Sequence, residues 1–346
     1  MEKIVLRTNG SVSEILIGVN WESVHELLPG TGVAIITDNN IHRIYGSKFP
    51  EFPVFQVRAG ESSKNLEVIE YLAERLIESG IDRTGFILGI GGGVVCDISG
   101  FLASIYMRGI KCAYISSSLL SQVDASTGGK NGVNLRGSKN ILGCFRQPEF
   151  VICDTAMLQT LPEDEYFSGL AELIKTAVIG NVKLFEMIEN NHDRILKRDT
   201  DLLSMLVSMA VNVKAEIVSE DEKESGLRRI LNFGHTYGHA IEMYKSLRHG
   251  YAVASGMELA ANFSFSRGLI SSSEYDRILL LLKSFKLLRR HDLPDDQITN
   301  LIMRDKKKSG NDVYFVFIEG IGKAAVEKIP VAEVVNFYRQ NKSGNQ

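Results

Sequence analysis

Between residues 33 and 120 the sequence switches repeatedly between short β-branched runs and helical stretches: VAIITD, NLEVIEYLAERLIESG, FILGIGGG, VVCDISGFLASIYMRG, KCAYISSSLL. Strands separated by segments long enough to be helices pair in parallel, with the helices as crossovers. VFQV supplies a further strand, and ITDNN ends one where a doubly wound fold places its ligand. After VICDTAMLQTLPEDEYFSG the strand signals fade. GLAELIKTAVIGNVKLFEMIE, DLLSMLVSMAVNVKAEIV and HAIEMYKSL instead space their apolar residues as helices do. YFVFIEGIGKAAVEKIP, preceded by the basic cluster RDKKKSG, reads as a hairpin. With 346 residues the chain is long enough for two cores. The expectation is an α/β nucleotide-binding domain over residues 1–160, a parallel sheet with crossover helices, and a mainly α-helical metal- and substrate-binding domain over 161–346.

A formal net charge of −3, with 23% charged and 44% hydrophobic residues, gives no pull toward nucleic acid or an acidic membrane. MEKIVLRTNG lacks a signal-peptide pattern and no apolar run approaches the roughly 20 residues of a membrane span, so the expected compartment is the cytoplasm. Cys96, Cys112, Cys144 and Cys153 show neither C-x-x-C pairing nor disulfide-scaffold density, and read as reduced, mostly buried thiols.

FILGIGGGVVCDISGF sets Gly91 to Gly93 between a strand and a helix, where backbone N–H groups and the helix dipole favour a pyrophosphate. Val94 takes the last glycine position of G-x-G-x-x-G, and a ligand-free tight turn is the alternative. Asp97 follows one turn into the helix. SQVDASTGGKNGVNLRGSKN gathers Asp124, Lys130, Asn134, Lys139 and Asn140 among glycines, which reads as a long polar loop suited to phosphate or carboxylate. Glu172 and Lys175 in GLAELIK, taken alone, make an ordinary surface salt bridge. Much of KAEIVSEDEKESGLRRILNFGH, with Lys214, Glu222, Glu224, Arg228 and Asn232, reads alone as a solvated charged face.

His235 and His239, four apart, share one helix face. Thr236 stands where a zinc peptidase of H-E-x-x-H type needs glutamate, which disfavours that activity. A histidine pair alone is more often structural. His249, and a carboxylate such as Glu172, reverse those odds, and three such ligands leave coordination positions open as catalytic zinc does.

GGGVVCDISGFLASIYMRG, LLSQVDASTGGKNGVN, GSKNILGCFRQP, TLPEDEYFSGLAELIK, KAEIVSEDEKESGLRRILNFGHTYGHAIE, HGYAVASGM and DKKKSG, in this order, resemble the 3-dehydroquinate synthase family of sugar phosphate cyclases. They cover most of residues 35 to 325. The resemblance implies a lyase of the shikimate pathway with a bound NAD regenerated in each turnover and one divalent metal, zinc or cobalt. It implies a sugar acid phosphate substrate, 3-deoxy-D-arabino-heptulosonate 7-phosphate, and a homodimer.

By the same resemblance the metal ligands are Glu172, His235 and His249, while His239 handles a proton or a hydrogen bond near substrate. Lys130, Asn140, Lys175, Lys214, Arg228 and Asn232 surround the substrate with Lys139, Asp124 holds the site, and Arg108 is lent by the other subunit. Lys306 comes from the C-terminal domain, with Lys307 as its neighbouring alternative. For NAD the resemblance implies Asp38 and Asn40, then Gly60, Glu61, Ser62, Ser63 and Lys64. It adds Gly92, Gly93, Val94, Val95, Cys96 and Asp97, then Ser117, Ser118, Lys130 and Lys139, and finally Met157, Leu158, Gln159 and Thr160.

The chain departs from the family at Ser116 to Ser118, where Pro-Thr-Thr is common, and at Asn131, where threonine is common. Serine keeps the hydroxyl, and Asn131 beside Lys130 is expected to tune the substrate pocket. Another cyclase, an NAD- and metal-dependent polyol dehydrogenase and a non-enzymatic nucleotide sensor are the alternatives. The cationic cluster Lys130, Lys139, Lys175, Lys214 and Arg228 argues for a substrate with both phosphate and carboxylate.

Overall fold

The computed structural model describes residues 1–245, 247–289, 293–294, 296–305 and 311–341. Its strands in chain order are Glu2–Thr8 (β1), Ser11–Ile17 (β2), Val33–Asp38 (β3), Val54–Val57 (β4), Phe86–Gly91 (β5), Lys111–Ser116 (β6), Lys130–Leu135 (β7), Ser138–Phe145 (β8), Phe150–Cys153 (β9), Asp312–Gly320 (β10) and Lys323–Pro330 (β11). The helices begin with Asn39–Tyr45 (α1), Leu66–Glu78 (α2), Gly93–Ile105 (α3), Glu163–Gly180 (α4), Val182–Asn190 (α5) and His192–Leu196 (α6). They continue with Thr200–Glu220 (α7), His235–Lys245 (α8), His249–Ser266 (α9), Ser272–Ser284 (α10), Ile298–Asp305 (α11) and Val331–Asn341 (α12).

The chain divides into two compact units, residues 1–162 with 198–223, and residues 163–197 with 224–346. In the first, seven strands run in the order β1-β2-β9-β6-β5-β3-β4. Every neighbouring pair is parallel except the β1–β2 hairpin at one edge. Val33, Ile35, Phe86, Leu88, Ile90, Ala113, Ile115 and Ile152 form one core face with Trp21 and Met157. Their neighbours Ala34, Ile36, Ile87 and Tyr114 are buried on the other face. Burial on both faces is why these strands read as continuous apolar runs. The chain leaves β3 outward to β4, returns past β3 to β5, and then proceeds to β6. Hence the switch in direction falls between the C-terminal ends of β3 and β5, where open α/β sheets bind ligands.

Residues 198–223 follow the boundary expected near residue 160, yet they pack with the first unit. α7 lies against β1 and the turn Ser121–Ala125. It is long and apolar enough to cross a membrane, but 67% of its most apolar window is buried, as in a core helix. The expected polar loop after Ser121 is instead a tight turn followed by the antiparallel hairpin β7–β8. Arg136 and Gly137, both with positive φ (47° and 81°), turn the hairpin, and Gly132 faces Gly143 across it. Two positive-φ residues in a two-residue turn match the twist of the strands they join. β1–β2 is also joined by a two-residue turn, Asn9-Gly10, in which Gly10 has the positive φ (110°) and Asn9 does not.

Among the described residues the second unit's regular structure is helical apart from the β10–β11 hairpin, which packs on α9. Phe263 on α9 stacks on Phe337 with centroids 4.2 Å apart and meets Phe315 and Phe317 edge-on. α4 begins with Glu163, Asp164 and Glu165 after Pro162, acidic residues that complement the helix dipole. From Ser168 to Ile179 it is buried on all sides. All four cysteines are free thiols; Cys96, Cys112 and Cys153 are buried, Cys144 partly so.

Candidate active site

Of the residues predicted to meet NAD, Asp38 and the Gly92–Asp97 stretch follow the C-terminal ends of β3 and β5, at the switch of strand direction in the first unit. Asp38 ends β3 and caps α1, its Oδ1 accepting from the backbone N–H of Asn40 (2.9 Å) and Ile41 (3.0 Å). Asn39 Oδ1 accepts from Ala59 N–H (2.7 Å), tying this turn to the Gly60–Lys64 segment. β5 ends in the glycine cluster, and Gly92 caps α3 with no side chain satisfying the first N–H groups. Such an end is suited to an anion. Val95 and Cys96 are 1% exposed, so their contribution to a ligand is restricted to backbone. Burial also pushes the Cys96 thiol far up, which keeps it protonated and inert.

Lys64 is buried and donates to Asp97 Oδ2 (2.5 Å). Burial pushes the Asp97 carboxyl up to about 6, against the downward pull of Lys64. Glu61 accepts from Asn134 Nδ2 (2.8 Å), and Asn134 Oδ1 accepts from the backbone N–H of Asn140 (2.8 Å), so the hairpin is tied to the Glu61–Ser63 turn. Ser62 and Ser63 complete that turn, with Ser63 Oγ donating to Arg58 O. Ser117 N–H donates to Gly91 O (2.9 Å), and the Ser118 hydroxyl is shared with Ser121 (3.0 Å). Met157 and Leu158 have core side chains, Gln159 donates to Arg198 O, and Thr160 pairs with the Tyr45 hydroxyl.

Lys214, buried on α7, pairs with the Asp124 carboxylate and donates to the Asp124 carbonyl (2.6 Å). Lys130 and Lys139 are exposed on β7 and β8, with Asn140 in a left-handed conformation (φ 51°). Arg108 is exposed just beyond α3, where Met107 and Arg108 are both left-handed (φ 50° and 69°). Asn131 was expected to tune a substrate pocket; its side chain is spent inside the first unit. Its Oδ1 accepts from Tyr114 Oη (2.9 Å), and its Nδ2 donates to the carbonyls of Gly129 and Arg146 (both 2.9 Å). These bonds occupy both amide protons, and the residue is 6% exposed.

The second unit brings Glu172 from α4, His235 from α8 and His249 from α9 together, with donor atoms within 4.8 Å of one another. His249 Nε2 lies 3.3 Å and His235 Nε2 3.8 Å from Glu172 Oε1. The close approach of the helices depends on glycine. A Cβ on Gly250 would stand 2.4 Å from the Ser168 backbone on α4, and one on Gly256 would stand 2.0 Å from the Gly234 carbonyl oxygen beside α8. Gly256→Ala should therefore lower stability by about 1–3 kcal/mol and weaken metal binding, measured by denaturant unfolding and metal titration; unchanged values for both would discount this contact.

Glu172 and Lys175 are no surface pair: their side chains are 0% and 2% exposed and in contact. Burial alone would raise the Glu172 carboxyl, but Lys175, His249 and His235 hold it well below the carboxylate range. Its Oε2 meets the Lys175 ammonium, and its Oε1 faces the Nε2 atoms of His249 and His235. An anionic, fully buried carboxylate with one oxygen facing two imidazole nitrogens fits a divalent cation. Burial and the Lys175 charge push the His235 imidazole down, toward the neutral form that a metal requires. His249 is opposite: burial lowers it, yet Glu172 and Glu242 bring it up to about 10.

His239 lies beside this set, its ring 5.0 Å from that of His235 and 6.0 Å from that of His249. Arg228, 1% exposed, and Asn232 lie in the short helix before α8. Asn232 Nδ2 donates to Glu224 Oε1 (2.5 Å), a partner that the charged run before it concealed. Glu242, unassigned from sequence, contacts His249; its signal was the i, i+4, i+7 spacing with His235 and His239. Lys306 and Lys307 lie outside the described residues.

The family models for the N-terminal and C-terminal parts of 3-dehydroquinate synthase match residues 54–168 and 169–308. The 3-dehydroquinate synthase of Thermoanaerobacter pseudethanolicus is 42% identical over 87% of this chain and 88% of its own. That of Dehalococcoides mccartyi is 38% identical over 99% of this chain and 100% of its own. Among solved structures, 2-epi-5-epi-valiolone synthase from Streptomyces hygroscopicus, with NAD+ and Zn2+ bound, shares the fold. Its TM-score is 0.88 at 24% identity, over 98% of this chain and 99% of its own. A 2-deoxy-scyllo-inosose synthase complexed with carbaglucose-6-phosphate, NAD+ and Co2+ gives 0.84 at 23%, over 98% of this chain and all of its own. With both halves matched by the family models and a relative 38% identical along nearly its whole length, the chain belongs to the 3-dehydroquinate synthase family.

Proposed function

We propose that the chain converts 3-deoxy-D-arabino-heptulosonate 7-phosphate to 3-dehydroquinate and phosphate, as a carbon–oxygen lyase. The observation that carries this reading is the buried donor set Glu172, His235 and His249, in a chain whose curated relatives are named for that reaction. The bound groups supply Lewis acidity at the substrate C5 hydroxyl from a divalent metal, zinc or cobalt, and reversible hydride uptake from NAD. Glu172, His235 and His249 would hold the metal. The turns at Asp38, Gly60 and Gly92 would hold NAD, with Lys64 and Asp97 fixed against each other below them.

Oxidation at C5 makes the neighbouring C6 proton acidic, so phosphate can leave by β-elimination; reduction, ring opening and an intramolecular aldol closure complete the ring. Lys175 keeps Glu172 anionic and thereby ready to ligate. His239, on the same face of α8 as His235, serves as the proton-handling group. Lys130, Lys139, Lys214 and Arg228, with Asn140 and Asn232, neutralise and orient carboxylate, hydroxyls and phosphate, and Asp124 positions Lys214. Arg108 serves the phosphate site of a second copy, which makes the enzyme a homodimer. No nucleic acid or membrane takes part in this reading, and the cytoplasm is its compartment.

Purified protein given NAD and zinc should release phosphate from the heptulosonate phosphate with no net NADH. NADH that accumulates with turnover would make it a dehydrogenase. Silence on this substrate, with cyclisation of sedoheptulose 7-phosphate or glucose 6-phosphate, would make it another cyclase.

A further inference from the structure

The two histidines of the donor set are oriented by different means. His235 Nδ1 lies 3.1 Å from the Phe233 carbonyl, which can only accept, so Nδ1 carries the proton and Nε2 is left toward Glu172. His249 meets Glu172 through Nε2 in the same way, but its Nδ1 lies 3.0 Å from a carboxylate oxygen of Glu242. Glu242 sits on α8 three residues after His239 and seven after His235, on the same helix face. Its side chain is 14% exposed. α8 thus presents both His235 and the group that orients a histidine of α9.

His239, Glu242 and His249 also form a second set of possible metal donors. The two sets compete for one ring, because Nδ1 of His249 cannot hold a proton for Glu242 and an electron pair for a cation at once. In the Glu172 set the carboxylate and His235 are buried. The second set is only partly buried throughout. This decides between them.

We propose that Glu242 is a positioning residue: it fixes the tautomer and ring orientation of His249, directs Nε2 to the metal, and is not itself a ligand. A carboxylate there also makes the imidazole more electron-rich, which strengthens its bond to a divalent cation. The inference rests on the reading of Glu172, His235 and His249 as a metal site.

The test is Co2+ binding to the purified full-length protein, followed by titration and by the visible spectrum at saturation. Glu242→Ala should weaken Co2+ binding by up to about 100-fold and the isosteric Glu242→Gln by about tenfold, with saturated spectra like that of the unmodified protein. Unchanged affinity in a folded Glu242→Ala protein would overturn the proposal, as would a spectrum reporting a lost ligand. If circular dichroism shows that the alanine variant does not fold, Glu242→Gln decides alone, and unchanged affinity there overturns the proposal. Glu172→Gln separates the two levels. Loss of Co2+ in that variant with no effect at Glu242 leaves the metal reading standing and ends this one; absence of Co2+ binding in the unmodified protein ends both.

Discussion

Alanine at His235 should strip the protein of its metal, while alanine at His239 leaves the metal in place and slows turnover by about 10²- to 10⁴-fold, the range of a lost proton-transfer group. The two rings are 5.0 Å apart and nearly perpendicular (88°), so they meet their surroundings differently despite the shared helix face. His235 is buried, its Nδ1 held by the Phe233 carbonyl and its Nε2 aimed at Glu172. His239 is not in the Glu172 donor set and is only half-buried. Removing His235 deletes a donor, so the loss of affinity should exceed the roughly 10- to 100-fold attached to groups that merely orient one. Metal content after gel filtration and steady-state kinetics report the two quantities separately. Equal metal loss in both variants would contradict the assignment.

Lys175→Met should destabilise the metal-free protein by about 3–5 kcal/mol, because removal of one partner of a buried ion pair leaves the other uncompensated. Glu172 is inaccessible and Lys175 nearly so, hence water cannot replace the lost ammonium. The lower end of the range is expected, since His249, brought up by Glu172 and Glu242, still faces the carboxylate. Saturating Zn2+ should recover much of the loss, as binding to the native state alone adds stability. Denaturant unfolding with and without zinc measures this. A variant as stable as the parent without metal would show that the pair is solvated.

The α/β half was legible because its strands are buried on both faces, so each of VAIITD and FILGIG carries its signal in every residue. The β10–β11 hairpin was legible from the apolar run YFVFI and the glycines that follow it, Gly320 and Gly322. The β7–β8 hairpin was not: its polar residues and its glycine pair, Gly132 opposite Gly143, mimic a loop until the register is known. Asn131 looked like a pocket residue because it adjoins Lys130, yet alternation along β7 turns the two side chains to opposite faces. The place of α7 in the first unit was hidden for a related reason, since an apolar helix pattern states that a face is buried but not against what.

Residue type and local spacing by themselves determined the parallel sheet, the glycine turn at the end of β5 and the helical second half, because such elements are set by periods of 2 and 3.6 residues. The same local information placed His235 and His239 on one face. The family resemblance already implied that His235 rather than His239 joins Glu172 and His249; tertiary structure alone decided that the Glu172–Lys175 pair is buried and that Glu242 faces His249. Those facts depend on how closely α4, α8 and α9 approach, and that distance is set by contacts such as Gly250 on Ser168 and Gly256 on Gly234, far apart in the chain.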